Sequence, residues 1–313
     1  MSEDNKTAVV TGATGMIGIA LIKHLVQNNY TVYAVVRPDS ERIKNIPVHE
    51  RIVIVSCDIN SYSSLPEKIG RCCDLFFHLA WDGTYGNSRN NMHLQTNNIL
   101  ASVEAAETAS KLGCSTFLGA GSQAEYGPKN CIISPDTETN PENGYGIAKL
   151  SAGQMTRIIC RKNGIRHIWC RIFSVYGPYD AEYTMVMSGI IRMLKSENPQ
   201  YTKGEQKWDY LFCNDAARAL YLAALKGTDG SIYCVGGGTA RPLRDYILEI
   251  KNAANPNCQP EIGAIPYSEN QVMYLCADIS SLTSDTGFVP LIDFKNGIEE
   301  TVKFCKDMYI NTD

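Results

Sequence analysis

Tyr145 and Lys149 are the pair of residues in this sequence best suited to move a proton. They stand four residues apart in Tyr145-Gly146-Ile147-Ala148-Lys149, so a helix would place both side chains on one face. A free tyrosine has a pKa near 10, and lowering it toward 7 requires roughly 4 kcal/mol. An ammonium group at about 4 Å supplies a comparable energy at an effective dielectric constant of about 20. We therefore expect Lys149 to supply most of the energy needed to activate Tyr145 as a proton donor. Taken alone, however, this spacing is more often that of a surface pair.

Ser122 is a second polar group that could act on a substrate. It lies between Gly119 and Gly127, after the fifth predicted strand, and parallel sheets bind ligands at that edge. Its hydroxyl could hold a substrate carbonyl. The alternative is a turn-forming serine that hydrogen-bonds its own backbone.

A glycine-rich turn lies near the start of the chain. The run Thr11-Gly12-Ala13-Thr14-Gly15-Met16-Ile17-Gly18 stands between a predicted strand and a predicted helix. Glycines at these positions let the chain reverse, let the backbone approach a pyrophosphate and let the helix pack on the strand, while the helix N-terminus supplies amide donors. The run therefore predicts a dinucleotide-binding site, and the alternative is a turn without a ligand.

The end of the second strand indicates which dinucleotide is bound. A site selective for NAD places an acidic side chain about twenty residues after the turn, against the ribose 2′-hydroxyl. Here the strand ends in Val36-Arg37, and Arg37 could bind a 2′-phosphate through a pair worth roughly 1.5–3 kcal/mol. We predict NADP, with NAD as the alternative cofactor if Arg37 is a surface residue and Asp39 holds the ribose. Asp58, after the third strand, either contacts the adenine amino group or caps a turn.

These groups need alternating strands and helices to bring them together. Runs typical of strands occur at 7–10, 31–36, 51–56, 75–79, 116–118 and 165–170, and helical stretches near 16–26, 91–111 and 145–161. Such repeated units predict an α/β fold with a doubly wound parallel sheet, Rossmann-like. After residue 175 the pattern loosens into loops, followed by strands at 208–213 and 231–235 and helices at 215–225, 244–252 and 294–306. We predict a dinucleotide-binding domain over 1–175, with 208–235 returning to it, and a smaller C-terminal α/β substrate lobe, mainly 176–313.

The composition disfavours several classes of function. With 29 Lys+Arg and 33 Asp+Glu the net charge is −4, and without a run of like charges nucleic acid is not an expected partner. The longest stretch without a charged residue, 7–22, is too short and too rich in glycine to span a membrane. The polar start at 1–6 lacks the regions of a signal peptide. We therefore expect a cytoplasmic protein with no membrane partner.

The twelve cysteines lack the spacing of a metal site. No Cys-x-x-Cys occurs, and no two of the five histidines lie within five residues of each other. Disulfide frameworks belong to small secreted domains. We expect reduced, mostly buried thiols and predict no metal.

Four motifs in this order resemble the extended short-chain dehydrogenase/reductase family, in particular its nucleotide-sugar epimerases, dehydratases and reductases. They are the glycine turn, Ser122, the Tyr-x-x-x-Lys helix and the run Arg171-Ile172-Phe173-Ser174-Val175-Tyr176-Gly177-Pro178, and the likeness covers the whole chain. The resemblance implies a substrate between the two lobes and a homodimer formed through the helices at 91–111 and 145–161. It further implies that Gly12, Gly15 and Gly18 cradle the pyrophosphate, with Thr14, Met16 and Ile17 beside them. Other implied cofactor contacts are Asp58, Ile59, Ala80, Tyr145 and Lys149. The implied catalytic residues are Ser122, Tyr145 and Lys149.

Departures from the family pattern narrow the expected reaction. The 4,6-dehydratases carry an Asp-Glu pair where this chain has Gln123-Ala124, so dehydration is disfavoured. Members that bind a nucleotide diphosphate often use an arginine at the place of Trp208 and another near 271–274, for which Lys203, Lys207 or Arg241 could substitute. The segment 81–89 has the aromatic, amide and cationic groups of sugar recognition, or is a surface loop. We expect substrate contacts from Trp81, Ser122, Gln123, Tyr145, Ser174 and Trp208.

The leading hypothesis is NADP-dependent reduction of a keto-sugar, carried on a nucleotide as a 4-keto-6-deoxy sugar. Hydride would go to the carbonyl carbon, and Tyr145 would protonate the oxygen. The alternative is an NAD(P)-dependent nucleotide-sugar epimerase, which oxidises and reduces the same carbon. Arg37 counts against it, because epimerases usually keep NAD.

Two other classes of function fit the sequence less well. A serine hydrolase could use Ser122 in Ala120-Gly121-Ser122-Gln123-Ala124, a small-residue variant of the nucleophile elbow. No later histidine could complete a triad, since the last is His167. A non-catalytic module that senses NAD(P) would not need Ser122, Tyr145 and Lys149 together.

Overall fold

Seven parallel strands form the central sheet of the computed structural model, which describes residues 6–269 and 271–310. The strands of the described chain are β1 (Thr7–Thr11), β2 (Thr31–Val36), β3 (Ile52–Ser56), β4 (Leu75–His78), β5 (Thr116–Ser122), β6 (Arg166–Ile172), β7 (Ser174–Tyr176), β8 (Gln200–Tyr201), β9 (Lys207–Trp208), β10 (Tyr210–Phe212), β11 (Ile232–Val235), β12 (Arg241–Pro242), β13 (Glu261–Ile262) and β14 (Tyr274–Leu275). The central sheet has the order β3-β2-β1-β4-β5-β6-β11. Its order reverses between β1 and β4, so the predicted α/β doubly wound fold is confirmed, and ligands bind at such a reversal.

Helices cover both faces of this sheet. They are α1 (Met16–Gln27), α2 (Leu65–Ile69), α3 (Met92–Lys111), α4 (Gly144–Lys162), α5 (Met185–Leu194), α6 (Cys213–Lys226), α7 (Leu243–Ala254), α8 (Ser280–Thr286) and α9 (Phe294–Tyr309), with 3-10 turns at Glu41–Asn45, Ile59–Ser64, Gly86–Asn90 and Gln123–Glu125. The strand residues alternate between two cores: Val10 packs with Leu21 and Leu220 on the side of α1 and α6. Val9 packs with Ala105 on the side of α3. The sheet is therefore buried on both faces, as parallel sheets require.

The strand that carries Ser122 is longer than the sequence predicts. β5 continues past Leu118 through two glycines and ends at Ser122, which is also the N-cap of the 3-10 turn Gln123–Glu125. Glycine is rare in strands, so the pattern predicts an end at Leu118. Ser122 thus sits on the rigid end of a central strand.

The C-terminal part has ordered elements that the sequence pattern misses. α5 lies where loops were expected, and the expected strand at 208–213 is two short strands, β9 and β10. α5, α7 and α9 pack on one another, beside small sheets formed by β12-β9-β14, β10-β7 and β13-β8. β11 returns to the central sheet. A division into two domains near residue 175 stays a prediction.

Four expectations concern the whole chain: its N-terminal residues, membrane-spanning segments, cysteines and metal ligands. Residues 1–5, part of the start from which a cytoplasmic location was expected, lie outside the described residues. None of the described helices combines the length and the apolar character needed to cross a membrane. The twelve cysteines are free, and all are buried except Cys72 and Cys131. Within 6–269 and 271–310, three potential metal ligands nowhere come together.

Candidate active site

The glycine turn after β1 folds against the end of β4. Gly12 has a φ of +70°, and a Cβ there would lie 2.7 Å from the Ala80 nitrogen, so glycine is required. A Cβ on Gly18 would lie 2.2 Å from the Gly12 carbonyl oxygen, because α1 starts close to the turn. The N-cap of α1 is Gly15, which has no side chain to occupy the first amide groups of the helix. These free amides and the tight turn fit a pyrophosphate.

A cavity of about 540 Å³ opens from this turn along the ends of the central strands. Met16 and Ile17, both expected to bind cofactor, pack against the hydrophobic core. The other predicted cofactor residues that line the cavity are Gly12, Thr14, Gly15, Arg37, Asp58, Ile59 and Ala80. These seven are fewer than half of the described residues of the wall, and the predicted cofactor residues Gly18, Tyr145 and Lys149 are not among them.

Two arginines, Arg37 and Arg42, border the same cavity and are exposed. Among the described residues of its wall, Asp39 is not included. Asp58 lines the cavity and also caps a turn, since its Oδ1 accepts the backbone N–H of Asn60 at 3.0 Å. The wall thus offers two cations, Arg37 and Arg42, and two carboxylates, Asp58 and Asp82.

A chain of buried hydrogen bonds fixes the cavity floor. The Ser102 hydroxyl donates to the Asn98 carbonyl oxygen at 2.8 Å, so it accepts from His78 Nε2 at 3.1 Å. His78 Nδ1 then accepts from the Thr11 hydroxyl at 3.0 Å, and Thr11 in turn accepts from the Ala80 N–H. Burial lowers the pKa of His78 to about 3, and Lys149 acts in the same direction. His78 is therefore neutral at physiological pH and has a structural role.

The three predicted catalytic residues meet where β5 ends and α4 begins. Lys149 Nζ donates to the Ala120 carbonyl oxygen at 2.6 Å, two residues before Ser122. The same Nζ lies 5.9 Å from the centroid of the Tyr145 ring. The Arg89 guanidinium carbon lies 4.6 Å from that centroid. Tyr145 is thus flanked by two cationic side chains and by the Ser122 hydroxyl.

The protonation of Tyr145 and Lys149 differs from the expectation. Burial raises the pKa of Tyr145, while the Ser122 hydroxyl and Arg89 oppose the rise. Burial lowers the pKa of Lys149 to about 7, and the Glu125 carboxylate opposes this fall. The close ammonium–phenol pair that we expected is not what the structure has, because Lys149 points to Ala120 and loses solvation.

Trp81 closes the site over Lys149. Its ring centroid lies 3.8 Å from Lys149 Nζ, and it meets the Tyr145 ring edge to face at 6.0 Å. The indole N–H donates to Gln95 Oε1 at 2.9 Å, and the Gln95 amide donates to two carbonyl oxygens within 83–88. Gln95 is buried in α3. The segment after Trp81 is therefore anchored to the helix, which the sequence left open.

Glu125 is a site residue that our sequence reasoning missed. It is fully buried, and its Oε1 accepts the Ser122 backbone N–H at 2.8 Å and the Trp169 indole N–H at 3.0 Å. Its Oε2 accepts from Arg171 Nε at 2.7 Å. Ser122 and Glu125 form a capping box around the 3-10 turn. The spacing Ser-x-x-Glu could have revealed the capping box; the ion pair to Arg171, 46 residues away, could not be foreseen.

Three glycines make room for Trp169 beneath this turn. A Cβ on Gly119 would lie 2.2 Å from Cζ3 of the indole, and one on Gly121 would lie 2.3 Å from Nε1. A Cβ on Gly153 would lie 2.7 Å from Cε2. The glycines of β5 and α4 thus let the indole approach the backbone and reach Glu125.

Residues 177–184, which we call the strap, run beside the cavity. The Tyr183 ring stacks on Tyr85, with centroids 3.9 Å apart, although 52% of Tyr183 and 58% of Tyr85 stay exposed. The Tyr179 carbonyl oxygen accepts from Arg42 Nη2 at 3.3 Å. Arg42 and Thr84, the neighbour of Tyr85, both belong to the cavity wall. The strap therefore contacts Arg42 in the cavity wall and, at Tyr85, the neighbour of another wall residue.

Residues 8–236 match the model of the NAD dependent epimerase/dehydratase family. The chain belongs to this family. The predicted resemblance is therefore confirmed, and the protein is an enzyme of the extended short-chain dehydrogenase type, an NAD-dependent oxidoreductase or epimerase. A curated relative, CDP-abequose synthase of Salmonella typhimurium, is 26% identical over 305 residues, which are 94% of this chain and 97% of the relative.

Solved structures share the fold of this family member. The UDP-glucose 4-epimerase of Thermotoga maritima with UDP-glucose has a TM-score of 0.87 and 23% identity, covering 96% of this chain and 99% of that one. The UDP-glucuronic acid 4-epimerase of Bacillus cereus in complex with NAD has a TM-score of 0.83 and 22% identity, covering 97% and 99%. At such identities the likeness establishes the fold alone.

In this member of the family, Trp208 and Ser174 pair with each other. Trp208 Nε1 donates to the Ser174 hydroxyl at 2.7 Å. Trp208 packs on a cluster that contains Tyr126 and Phe173, so it lies near the 3-10 turn Gln123–Glu125. Gln123 is half-buried within that turn, beside Ser122. The predicted substrate residues therefore gather around one end of β5.

The cations considered as phosphate partners have different environments. Arg241 Nη1 pairs with Glu249 Oε1 at 2.6 Å, while Lys203 and Lys207 are exposed. A second cavity, of about 390 Å³, lies between residues 128–130, after the 3-10 turn Gln123–Glu125, and 271–273. Lys129 lines it, and sequence reasoning did not select this residue.

Proposed function

We propose that this enzyme reduces the carbonyl group of a keto-sugar with NADPH. The observation that carries the proposal is the cavity wall, which includes both Arg37 and Arg42 and also Trp81, the ring over Lys149. Two guanidinium groups suit the 2′-phosphate that distinguishes NADP from NAD. NAD is the alternative cofactor, because the UDP-glucuronic acid 4-epimerase of Bacillus cereus, which shares the fold, is described in complex with NAD.

Tyr145 is the proposed proton donor. When bound, the nicotinamide supplies the hydride that goes to the carbonyl carbon. The raised pKa of Tyr145 keeps the phenol protonated at neutral pH, so it can give its proton to the carbonyl oxygen. Ser122 would donate a hydrogen bond to the same oxygen and hold it beside the phenol. Lys149 would hold the nicotinamide ribose, below Trp81.

The proposed substrate is a nucleotide-linked 4-keto-6-deoxy sugar. A nucleotide-linked substrate is supported by the names of the CDP-abequose synthase and of the epimerase described with UDP-glucose. Trp81, Gln123, Ser174 and Trp208 would line the sugar pocket. Lys129 would supply a cation for the diphosphate from the second cavity.

An NAD(P)-dependent nucleotide-sugar epimerase is the second candidate, and the strap is the observation that favours it. An epimerase regenerates its cofactor within the site, so it gains from a closure that slows cofactor loss. In this proposal the stack of Tyr183 on Tyr85, beside the cavity wall, would provide such a closure. A reductase must instead exchange its cofactor in every cycle.

The fate of the cofactor tests the two candidates against each other. Purified enzyme is mixed with NADPH and with CDP-, dTDP- and UDP-linked 4-keto-6-deoxy sugars, and the absorbance of reduced nicotinamide is followed with Tyr145→Phe as the inactive control. A reductase consumes one equivalent of NADPH per product. Conversion of a nucleotide sugar to its epimer without added cofactor, and with no net absorbance change, would contradict the reductase and support the epimerase.

We also propose that the enzyme is a cytoplasmic homodimer. α3 and α4 pack on each other and carry exposed apolar side chains, among them Leu100, Ile147, Met155 and Ile158. A two-fold axis beside them would bury this surface in a four-helix interface. The free cysteines suit a reducing compartment. Light scattering at micromolar concentration should give twice the chain mass, and a monomer mass would contradict the dimer.

A further inference from the structure

The turn that carries Ser122 rests on one buried carboxylate. Glu125 has no exposed surface, and its hydrogen bonds come from Ser122, Trp169 and Arg171. Trp169 and Arg171 lie two residues apart on β6, so both reach the end of the neighbouring strand β5. We propose that Glu125 is a positioning residue of this enzyme: anchored by Trp169 and Arg171, it fixes Ser122 against the substrate and sets the charge around Lys149.

The first part of this role is the orientation of Ser122. The Glu125 carboxylate accepts the backbone N–H of Ser122, and the Ser122 hydroxyl accepts the backbone N–H of Ala124 at 3.2 Å. With one lone pair of the hydroxyl occupied in this way, its proton is free to point toward Tyr145 and a substrate oxygen. Glu125 itself is not among the described residues that line the cofactor cavity, so it acts through Ser122.

The second part of this role is electrostatic. Arg171 is nearly as buried as Glu125, and its guanidinium carbon also lies 4.4 Å from the centroid of the Tyr126 ring. The carboxylate is therefore paired with one buried cation, Arg171, and its charge also acts on a second, Lys149. Because a nearby opposite charge favours the charged form of a lysine, removing the carboxylate would make the Lys149 ammonium less stable.

Several groups face Lys149 and decide its charge. The Ala120 carbonyl oxygen on β5 accepts its hydrogen bond, and the Trp81 ring covers it. Tyr145 lies on its own helix, and neutral His78 is on β4. The remaining charged groups nearby are Arg89 over the Tyr145 ring, Glu125 and Arg171. Of these groups, Glu125 is the one that opposes the fall in the pKa of Lys149, which burial brings to about 7.

Two variants separate the orientation of Ser122 from the electrostatic effect on Lys149. Their kinetic measurement rests on the proposed function. Glu125→Gln, combined with Arg171→Met, keeps an oxygen for the Ser122 N–H and removes both charges of the ion pair. Glu125→Asp keeps the charge but is too short to hold Ser122. Both are compared with the wild type for secondary structure by circular dichroism and for NADPH affinity by calorimetry, which we expect to change by less than about threefold because Glu125 does not line the cavity.

The readout that needs no substrate is the titration of Lys149. The 13Cε resonance of lysine is followed by NMR between pH 5 and 10, with Lys149 assigned through Lys149→Met. In the double variant we expect the midpoint of Lys149 to fall, by less than the loss of the carboxylate alone would give because the Arg171 cation is removed with it, and in Glu125→Asp to stay in place. An unchanged midpoint in a folded double variant would overturn the electrostatic part.

The kinetic readout is kcat and its pH profile with the keto-sugar substrate. We expect kcat of Glu125→Asp to fall about tenfold with an unmoved profile, and the alkaline limb of the double variant to shift to lower pH. Wild-type kcat in Glu125→Asp would overturn the positioning of Ser122. If the double variant does not fold, Glu125→Asp still tests this part. If the wild type turns over no keto-sugar, the proposed function fails, while the NMR titration still decides the link between Glu125 and Lys149.

Discussion

Tyr145 is the residue whose removal separates chemistry from binding. Tyr145→Phe keeps the ring that contacts Arg89 and Trp81 and loses the transferable proton. We expect kcat to fall by about 100-fold or more, with the Kd of NADPH within about twofold of the wild type. Steady-state kinetics and titration calorimetry measure the two quantities. A variant that retained most of its turnover would remove Tyr145 from the proposed mechanism.

Arg37 is expected to set the choice of cofactor. Arg37→Asp should raise the Kd of NADPH by one to two decades, since a charge-assisted pair is worth about 1.5–3 kcal/mol, and should improve NADH binding. Arg161→Asp, on the exposed end of α4, changes the net charge equally and serves as the control. Equal affinity of the wild type for NADPH and NADH would contradict the prediction.

Lys149 should make the stability depend on pH. Its pKa is about 7 in the folded enzyme and near 10.5 when unfolded, so between these values the unfolded chain binds more protons. The free energy of unfolding therefore gains up to about 1.4 kcal/mol per pH unit from this residue as pH rises. Lys149→Met removes the gain, and we expect its stability relative to wild type to decline between pH 7 and 9 in urea unfolding. The exposed Lys162→Met is the control, and a pH-independent difference for Lys149→Met would contradict a depressed pKa.

Candidate site residues could be predicted where the residue type and the local spacing are sufficient to indicate a role. Tyr145 and Lys149 are one helical turn apart, and the glycine turn is contiguous, so both were found from the sequence. Glu125 was missed because its environment depends on Arg171, on another strand. Arg42 was missed for a similar reason, since its place in the cavity wall follows from the path of the loop after β2.

β5 is the element on which the site depends most, and its glycines are expected to resist substitution. Gly119→Ala would place a methyl group 2.2 Å from the Trp169 ring, which should destabilise the fold by about 1–3 kcal/mol. In a Trp169→Phe background the smaller ring leaves room, so the added cost of Gly119→Ala should largely vanish in a double-mutant cycle. Additive costs in urea unfolding would contradict the packing explanation.

Most strands of the central sheet could be predicted because they are buried on both faces and rich in apolar residues, whereas the edge strand β3 is largely exposed. α5 could not, since a glycine lies in its middle. A Cβ on that Gly189 would lie 2.4 Å from the Tyr201 hydroxyl, so the glycine serves packing against a distant segment. Propensity along the chain cannot reveal such a requirement.

The whole molecule brings residues 85 and 183 into contact beside the cavity, and we expect this contact to affect cofactor exchange. Tyr183→Ala removes the stack on Tyr85, and we expect NADPH to dissociate about three- to tenfold faster, because most changes in affinity appear in the off-rate. Tyr85→Phe keeps the stacked ring and is the matched control. Stopped-flow displacement measures both rates. Equal off-rates in Tyr183→Ala and wild type would contradict a closing role for the strap.

The topology of the whole molecule was predictable because βα units wind in one hand and place the strand ends on one edge. The contact between the strap and the loop after β4 was not, since it joins two irregular segments. The hydrogen bond between Trp208 and Ser174 could not be predicted either, because β9 and β7 are too short to give a recognisable strand pattern in the sequence.

The three tryptophans stand in three different environments of this enzyme, which gives it built-in optical reporters. Trp169 is sealed among glycines, so its emission depends on the integrity of the fold and not on ligands. Trp81 forms part of the cofactor cavity, within reach of energy transfer to reduced nicotinamide, and Trp208 lies in the proposed sugar pocket. Cofactor arrival, sugar arrival and unfolding would therefore each leave a separate fluorescence signal in the unlabelled protein.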